Sequence, residues 1–159
     1  MNVRLAFGLS VALSFLMWGL VAKLYLWPAL ASRPRHLAFR PLLLLHASRF
    51  VGLAFLVPGV VAPDLPPAFA RPAAYGDLVA AFLALMALAL LRTRGALPLL
   101  WAFNVWGAAD LLFAFYRGAR VDAGTFGAAY FIPTMVVPLL LVTHALMIRL
   151  LMMPSPRAA

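Results

Sequence analysis

Five apolar stretches, each close to twenty residues long, dominate this chain and leave few ways for it to fold. An α-helix of about 20 apolar residues crosses the hydrocarbon core of a bilayer. Short breaks join the stretches, so successive helices are expected to pack antiparallel. With a mean hydropathy of +1.01, the sequence predicts an all-α polytopic membrane protein, an up-and-down bundle of five transmembrane helices. The predicted helices cover about residues 4–27, 41–62, 73–91, 98–116 and 128–151 of a single membrane domain, residues 1–159.

The net charge of +9 comes from lysine and arginine residues that mostly flank the apolar stretches. A nucleic-acid-binding face would need these cations clustered on a soluble module. We therefore expect the partner of these charges to be the lipid bilayer, with its anionic headgroups, and not a nucleic acid.

The distribution of these cations also predicts an orientation. Lysine and arginine are enriched on the cytoplasmic side of membrane proteins, and one side of the predicted bundle holds twice as many as the other. The abundance of arginine, alanine and proline is typical of a GC-rich bacterial genome. We therefore predict a multi-pass protein of the bacterial cytoplasmic (inner) membrane with its N-terminus outside and its C-terminus inside. The outer set is Arg4, Arg71, Arg117 and Arg120, and the inner set is Lys23, Arg33, Arg35, Arg40, Arg92, Arg94, Arg149 and Arg157.

Missing residue types narrow the chemistry. The chain contains no cysteine, which excludes thiolate nucleophiles and cysteine-ligated metals or clusters. It also contains no glutamate, and its four acids are Asp64, Asp77, Asp110 and Asp122. Carboxylate chemistry inside the membrane must therefore use Asp77 or Asp110.

Three basic side chains fall inside apolar stretches. His46 and Arg49 lie one turn apart in the second stretch, and His144 lies in the fifth. An ionisable group at such a position is costly to bury and indicates a functional site by default. From the predicted helix ends, both imidazoles lie roughly 8–11 Å from the inner surface. Two histidines at one depth on antiparallel helices can share a ligand.

Further polar residues are expected at compatible depths. Asp77 and Asp110 lie near the outer side, and Asn104 lies near the middle of the fourth stretch. Arg49 can reach Asp110 or Asn104, and a buried guanidinium needs such a partner. Helical spacing places Tyr130 on the same face as His144. For Asp77, the alternative is an N-terminal helix cap facing the headgroups.

These residues favour a membrane protein that binds, or transports, a small ligand or protons. The candidate ligand-binding residues are His46, Arg49, Asp77, Asn104, Asp110, Tyr130 and His144. Histidine titrates near neutral pH and can pass protons. Five helices are few for alternating access, an objection that a homo-oligomer would relieve.

Two alternatives rest on the same residues. A b-type haem protein for electron transfer would use His46 and His144 as axial ligands, which requires two facing imidazoles. An accessory or assembly subunit of a membrane complex would use its polar side chains only to specify helix packing. No catalytic motif is present, so an enzyme acting on a lipid is the least favoured interpretation and we assign no catalytic residue.

Overall fold

The computed structural model describes residues 2–153, and over these residues it is helical without a β-strand. Five of its helices are long and apolar enough to cross a membrane. A short 3₁₀ segment, Ala123–Tyr130, precedes the last of them. The long helices are α1 (Val3–Ala31), α2 (Arg35–Leu56), α3 (Pro67–Ala89), α4 (Ala96–Gly118) and α5 (Ile132–Met152).

The second helix begins and ends six residues before its predicted limits. Pro34 takes an extended conformation and sets the start, while Pro41 lies inside the helix near its first turns. Pro41 is the seventh residue of the helix and lacks the N–H that would donate to the carbonyl of Leu37, yet the helix continues through it and is not broken there as the sequence pattern suggested. The helix ends before Pro58, because the residue preceding a proline is pushed out of the helical region.

The third helix also begins earlier than predicted. The sequence indicates an extended proline-rich break up to Pro72, yet α3 starts at Pro67 and contains Pro72. Proline suits the first helical position because an N–H at that position has no partner within the helix, so its absence costs no hydrogen bond. The earlier start moves Asp77 into the interior of α3, ten residues from its first residue, and so excludes a role as helix cap.

Contacts between side chains show the direction of each helix. His46 on α2 contacts Thr143 on α5, and Arg35 at the start of α2 contacts the carbonyl of Leu151, so these two helices are antiparallel. Phe55 near the end of α2 packs edge-on against Phe69 near the start of α3, so α3 runs antiparallel to α2. The first helix, however, packs mainly along α5 and leaves most of its own surface exposed.

The two ends of the bundle differ in structure and charge. We call the end at which α2 and α4 begin the basic end; its cations are Lys23, Arg33, Arg35, Arg40, Arg92, Arg94 and Arg149. The opposite, loop end is closed by two connections that hydrogen-bond to each other. The amide of Ala62 donates to the carbonyl of Thr125 over 2.9 Å, and the amide of Ala128 donates to the carbonyl of Val60 over 2.8 Å. Gly127, with φ of 52°, permits this close approach.

The interior is layered. An apolar cluster that includes Phe39, Phe103 and Met147 fills the basic end. A second apolar cluster, which includes Phe69 and Phe126, fills the loop end. Between them lies a layer of buried polar side chains. Its members are His46, Arg49, Asp77, Asn104, Thr143 and His144, with the less buried Asp110 beside them.

Candidate functional site

Arg49 occupies the centre of the polar layer. Arg49 is 1% exposed as a whole residue, and its Nε donates to Asp77 Oδ1 of α3 over 2.7 Å. Its Nη2 donates to Asp110 Oδ2 of α4, also over 2.7 Å. Two carboxylates from two helices therefore share one guanidinium. A buried guanidinium without such partners would be strongly unfavourable.

The local backbone explains how Arg49 enters the bundle. From Ser48 to Leu56, α2 continues as a 3₁₀-helix, and its buried residues are Arg49, Gly52 and Phe55. A 3₁₀-helix has three residues per turn, so residues three apart lie directly above one another. The tightened turn thus directs one narrow line of residues into the interior. A 3₁₀ segment of nine residues is unusually long, since such segments rarely exceed three or four residues.

Arg49 also contacts the imidazole of His144. Its Nη1 donates to the carbonyl of Gly107 over 3.2 Å and lies 3.4 Å from His144 Nε2. Asn104 Nδ2 donates to the carbonyl of Leu100, so its Oδ1, 3.0 Å from His144 Nδ1, acts as an acceptor. His144 therefore donates through Nδ1 and presents the lone pair of Nε2 to Arg49, as a neutral imidazole.

The second imidazole has one satisfied and one unsatisfied nitrogen. His46 Nε2 lies 2.9 Å from Thr143 Oγ1, whose hydroxyl donates to the carbonyl of Leu139 or Leu140 within its own helix. The hydroxyl is thus the acceptor and His46 the donor. Within residues 2–153, His46 Nδ1 is buried without a hydrogen-bond partner. Such an orphan acceptor is costly unless it takes up a proton or a water molecule.

Glycines make room for the charged side chains. A methyl group at Gly52 of α2 would overlap the carboxylate of Asp77, and one at Gly76 of α3 would overlap that of Asp110. A methyl group at Gly107 of α4 would approach His144 Nε2 to 2.5 Å. Each of three neighbouring helices therefore offers a glycine where the next helix presents a polar group, and close backbone approach is how helices associate in lipid.

The space around the polar layer is small. A cavity of about 20 Å³ adjoins Asp77 on the side of the loop end. Among the side chains that line it, only Asp77 is polar. A volume of roughly 10–15 Å³ holds one water molecule, so the cavity has room for one water molecule and for nothing larger. Towards the basic end, the packed side chains of Phe39, Phe103 and Met147 close the layer completely.

The structure does not fit a haem between His46 and His144. Bis-histidine ligation needs the porphyrin between the two rings and one nitrogen of each ring directed at the iron. Here the ring centroids are 4.2 Å apart, and three of the four nitrogens face side chains of the protein. No group of three or more histidine, cysteine or acidic side chains placed to hold a metal ion occurs in residues 2–153.

The structure also separates Tyr130 from the other predicted site residues. Its hydroxyl lies 3.4 Å from Ser10 Oγ of α1, and its ring packs edge-on against Phe7. Tyr130 precedes His144 by fourteen residues, which is about 20 Å along a helix. The other six, His46, Arg49, Asp77, Asn104, Asp110 and His144, lie in one connected set of contacts.

Three further residues of the layer were not predicted. Thr143 holds His46, and Gly52 and Gly76 accommodate the carboxylates. A signal for both glycines is present in the sequence, because Gly52 follows Arg49 by three residues and Gly76 directly precedes Asp77. Thr143 directly precedes His144, but a membrane threonine usually bonds only its own backbone, so its second role has no sequence signal.

The fold and the site together define a helical protein whose apolar bundle encloses a layer of buried ion pairs. The chain belongs to a family defined by a domain of unknown function, DUF8737, which matches residues 6–152. That range contains every residue of the polar layer. No curated protein and no solved structure matches the chain.

Proposed function

We propose that this chain is an integral membrane protein of the bacterial cytoplasmic membrane, a five-span up-and-down bundle with its N-terminus outside and its C-terminus inside. The five apolar helices and their exposed apolar surfaces support the proposed location in a membrane. The excess of cations at the basic end supports the orientation. Of the residues counted for this excess, Arg157 lies outside the described residues.

The absence of cysteine permits a direct test of this orientation. Ser32→Cys places a thiol at the basic end and Ala119→Cys places one at the loop end, both at exposed positions and without a change of charge. In intact cells, a membrane-impermeant maleimide should label Ala119→Cys at once and Ser32→Cys only after lysis. The opposite labelling pattern would reverse the proposed orientation, and equal labelling of both in intact cells would argue against a membrane-spanning bundle.

We further propose that the polar layer is a proton-binding site. The observation that carries this proposal is the pairing of one fully buried guanidinium, Arg49, with two carboxylates, Asp77 and Asp110. With both acids ionised and both imidazoles neutral, the layer has one excess negative charge. A net charge inside an apolar bundle is costly, and one bound proton removes it.

The surrounding space favours a proton over a larger ligand. The cavity beside Asp77 has the volume of one water molecule, and water next to a carboxylate can deliver a proton. Asp110 is the most exposed member of the ion-pair set, with 13% of its side chain accessible. Both features lie towards the loop end, whereas the basic end is closed by packed apolar side chains. Protons should therefore enter and leave from the loop end.

The layer also holds one polar atom whose hydrogen bonding is incomplete. His46 Nδ1 has no partner among the described residues, and a proton or a water molecule there would complete its hydrogen bonding. The long 3₁₀ segment that carries Arg49 supplies a backbone able to change its winding when the charge changes. A membrane protein that couples proton binding to a movement of α2 is the function these features support best.

Counting protons tests the proposal. The protein in micelles is titrated with acid in unbuffered solution, and a pH-sensitive dye reports the free protons. Over the neutral pH range, the wild type should take up about one more proton per chain than the Asp110→Asn variant. In that variant, Arg49 and Asp77 neutralise each other without a proton. Asp64→Asn is the matched control, since it removes the same carboxylate from an exposed position in a loop-end connection, away from Arg49.

Equal proton counts for the wild type and Asp110→Asn would overturn the proton site. They would favour the second candidate, an accessory or assembly subunit whose polar layer only fixes the helix arrangement. The observation in favour of that candidate is the fit of the glycines around the charged groups, which specifies one register for each helix pair. In such a protein the exposed apolar faces would meet another copy or a partner subunit of a membrane complex.

A further inference from the structure

The basic end contains a cavity of about 370 Å³ between the beginning of α2 and the end of α3. Its polar lining comes from His36, Arg40 and Arg92. Its apolar lining includes Leu44 and Leu88, which lie further towards the middle of the bundle. The cavity therefore has a cationic mouth and an apolar floor, and it is separate from the polar layer around Arg49.

The cations at this cavity lack the protein partners that Arg35 and Arg149 have at the same end. Arg35 donates to the backbone carbonyls of Leu151 and Met153. Arg149 lies over the ring of Trp27, 3.7 Å from its centroid. For Arg40 and Arg92, no hydrogen bond or ion pair to another side chain exists within the part of the chain that the structure describes. Their charge is thus available to something outside the protein.

No acid of this chain is placed to neutralise that charge. The sequence has only four acids. Two of them, Asp77 and Asp110, pair with Arg49 in the middle of the bundle. The others, Asp64 and Asp122, lie in the connections at the loop end. An anion that neutralises Arg40 and Arg92 must therefore come from the surroundings.

We propose that this cavity binds one anionic phospholipid, with its phosphate at Arg40 and Arg92 and an acyl chain along Leu44 and Leu88. Guanidinium groups bind phosphate oxygens through charge-assisted hydrogen bonds. Basic pockets between membrane helices are suited to anionic headgroups. The apolar floor distinguishes a lipid from a free phosphate ion, because only a lipid has a chain to place there. The inference needs the membrane location proposed above but not the proton site.

The test uses the purified full-length chain in detergent, with dioleoyl phosphatidylglycerol or dioleoyl phosphatidylcholine added and bound lipid counted by native mass spectrometry. Wild-type protein should retain one phosphatidylglycerol in preference to phosphatidylcholine. The double variant Arg40→Gln, Arg92→Gln should bind phosphatidylglycerol about 30-fold more weakly. The matched control, Arg33→Gln with Arg94→Gln, removes the same charge from exposed positions at the same end, outside the cavity lining, and should bind like the wild type.

A second variant tests the cavity without changing its charge. Ala89 lines the cavity and is exposed, so Ala89→Trp should fill it and prevent lipid retention while the protein stays folded. Equal weakening in the two arginine double variants, or wild-type retention by Ala89→Trp, would overturn the site. Inorganic phosphate should compete poorly; if it displaced phosphatidylglycerol at equal concentration, the cavity would be a phosphate site and the lipid assignment would be wrong.

Discussion

Arg49→Ala is expected to lower the free energy of unfolding by about 3–5 kcal/mol. The substitution leaves the carboxylates of Asp77 and Asp110 in the interior without their common cation. It also removes the donor that faces His144 and the carbonyl of Gly107. The measurement is denaturant titration of the purified protein in micelles.

The control for this prediction is Arg33→Ala, at an exposed position of the basic end. Surface substitutions of this kind change stability by about 0.5 kcal/mol or less. The triple variant Arg49→Met, Asp77→Asn, Asp110→Asn should be more stable than Arg49→Ala, since it leaves no buried charge unpaired. Equal stability of Arg49→Ala and Arg33→Ala would show that the ion pairs are not buried as the structure has them.

Gly76→Ala should destabilise the protein by about 3 kcal/mol, at the upper end for overpacking of a tight interior. The added methyl group overlaps the carboxylate of Asp110. That side chain cannot turn away without giving up its contact with Arg49. The same substitution at Gly19, where no atom beyond the adjoining residues and local helix backbone lies within 4 Å of the added group, is the matched control.

The control should change stability in the opposite direction. Alanine is favoured over glycine in a helix by about 1 kcal/mol, so Gly19→Ala is expected to be neutral or slightly stabilising. Combining Gly76→Ala with Asp110→Ala should cost little more than Asp110→Ala alone, because the overlap is then gone. A stabilising Gly76→Ala would contradict the close approach of α3 and α4.

The number of long helices could be predicted because an apolar stretch of this length has few other uses. Helix limits could not, since prolines at positions 34, 41, 67 and 72 look alike in the sequence. Their effect depends on position within the first turns of a helix. Pro41 and Pro72 lie inside helices, and Pro67 begins one.

The site was predicted in part because depth in a membrane can be counted along a helix. That count placed His46 and His144 at one level, and the structure brings their rings into contact. Helical spacing continued back through Pro133 predicts that Tyr130 lies on the same face as His144. The helix begins only at Ile132, and with a π-helical turn, so the spacing does not reach Tyr130.

Partners within the layer depend on helix rotation, which the sequence did not define. The sequence predicts that Arg49 reaches Asp110 or Asn104. The structure pairs it with Asp110 and also with Asp77, while Asn104 bonds His144 instead. The reason is the 3₁₀ winding from Ser48, which directs Arg49 and Gly52 towards α3. Arg49, Gly52 and Phe55 are spaced three residues apart in the sequence. Residues at that spacing are also neighbours on an α-helix, so the spacing does not predict the 3₁₀ winding.

The most direct measurement is the infrared absorption of the protein in lipid. If Arg49, Asp77 and Asp110 share one proton, the wild type should show the carbonyl stretch of a protonated carboxyl group, shifted in heavy water. Asp77→Asn and Asp110→Asn should each abolish that band, because the remaining carboxylate then pairs with Arg49 in its ionised form, while Asp64→Asn should leave it intact. A wild-type spectrum without a protonated carboxyl group, or a band that survives both substitutions, would contradict the proton site.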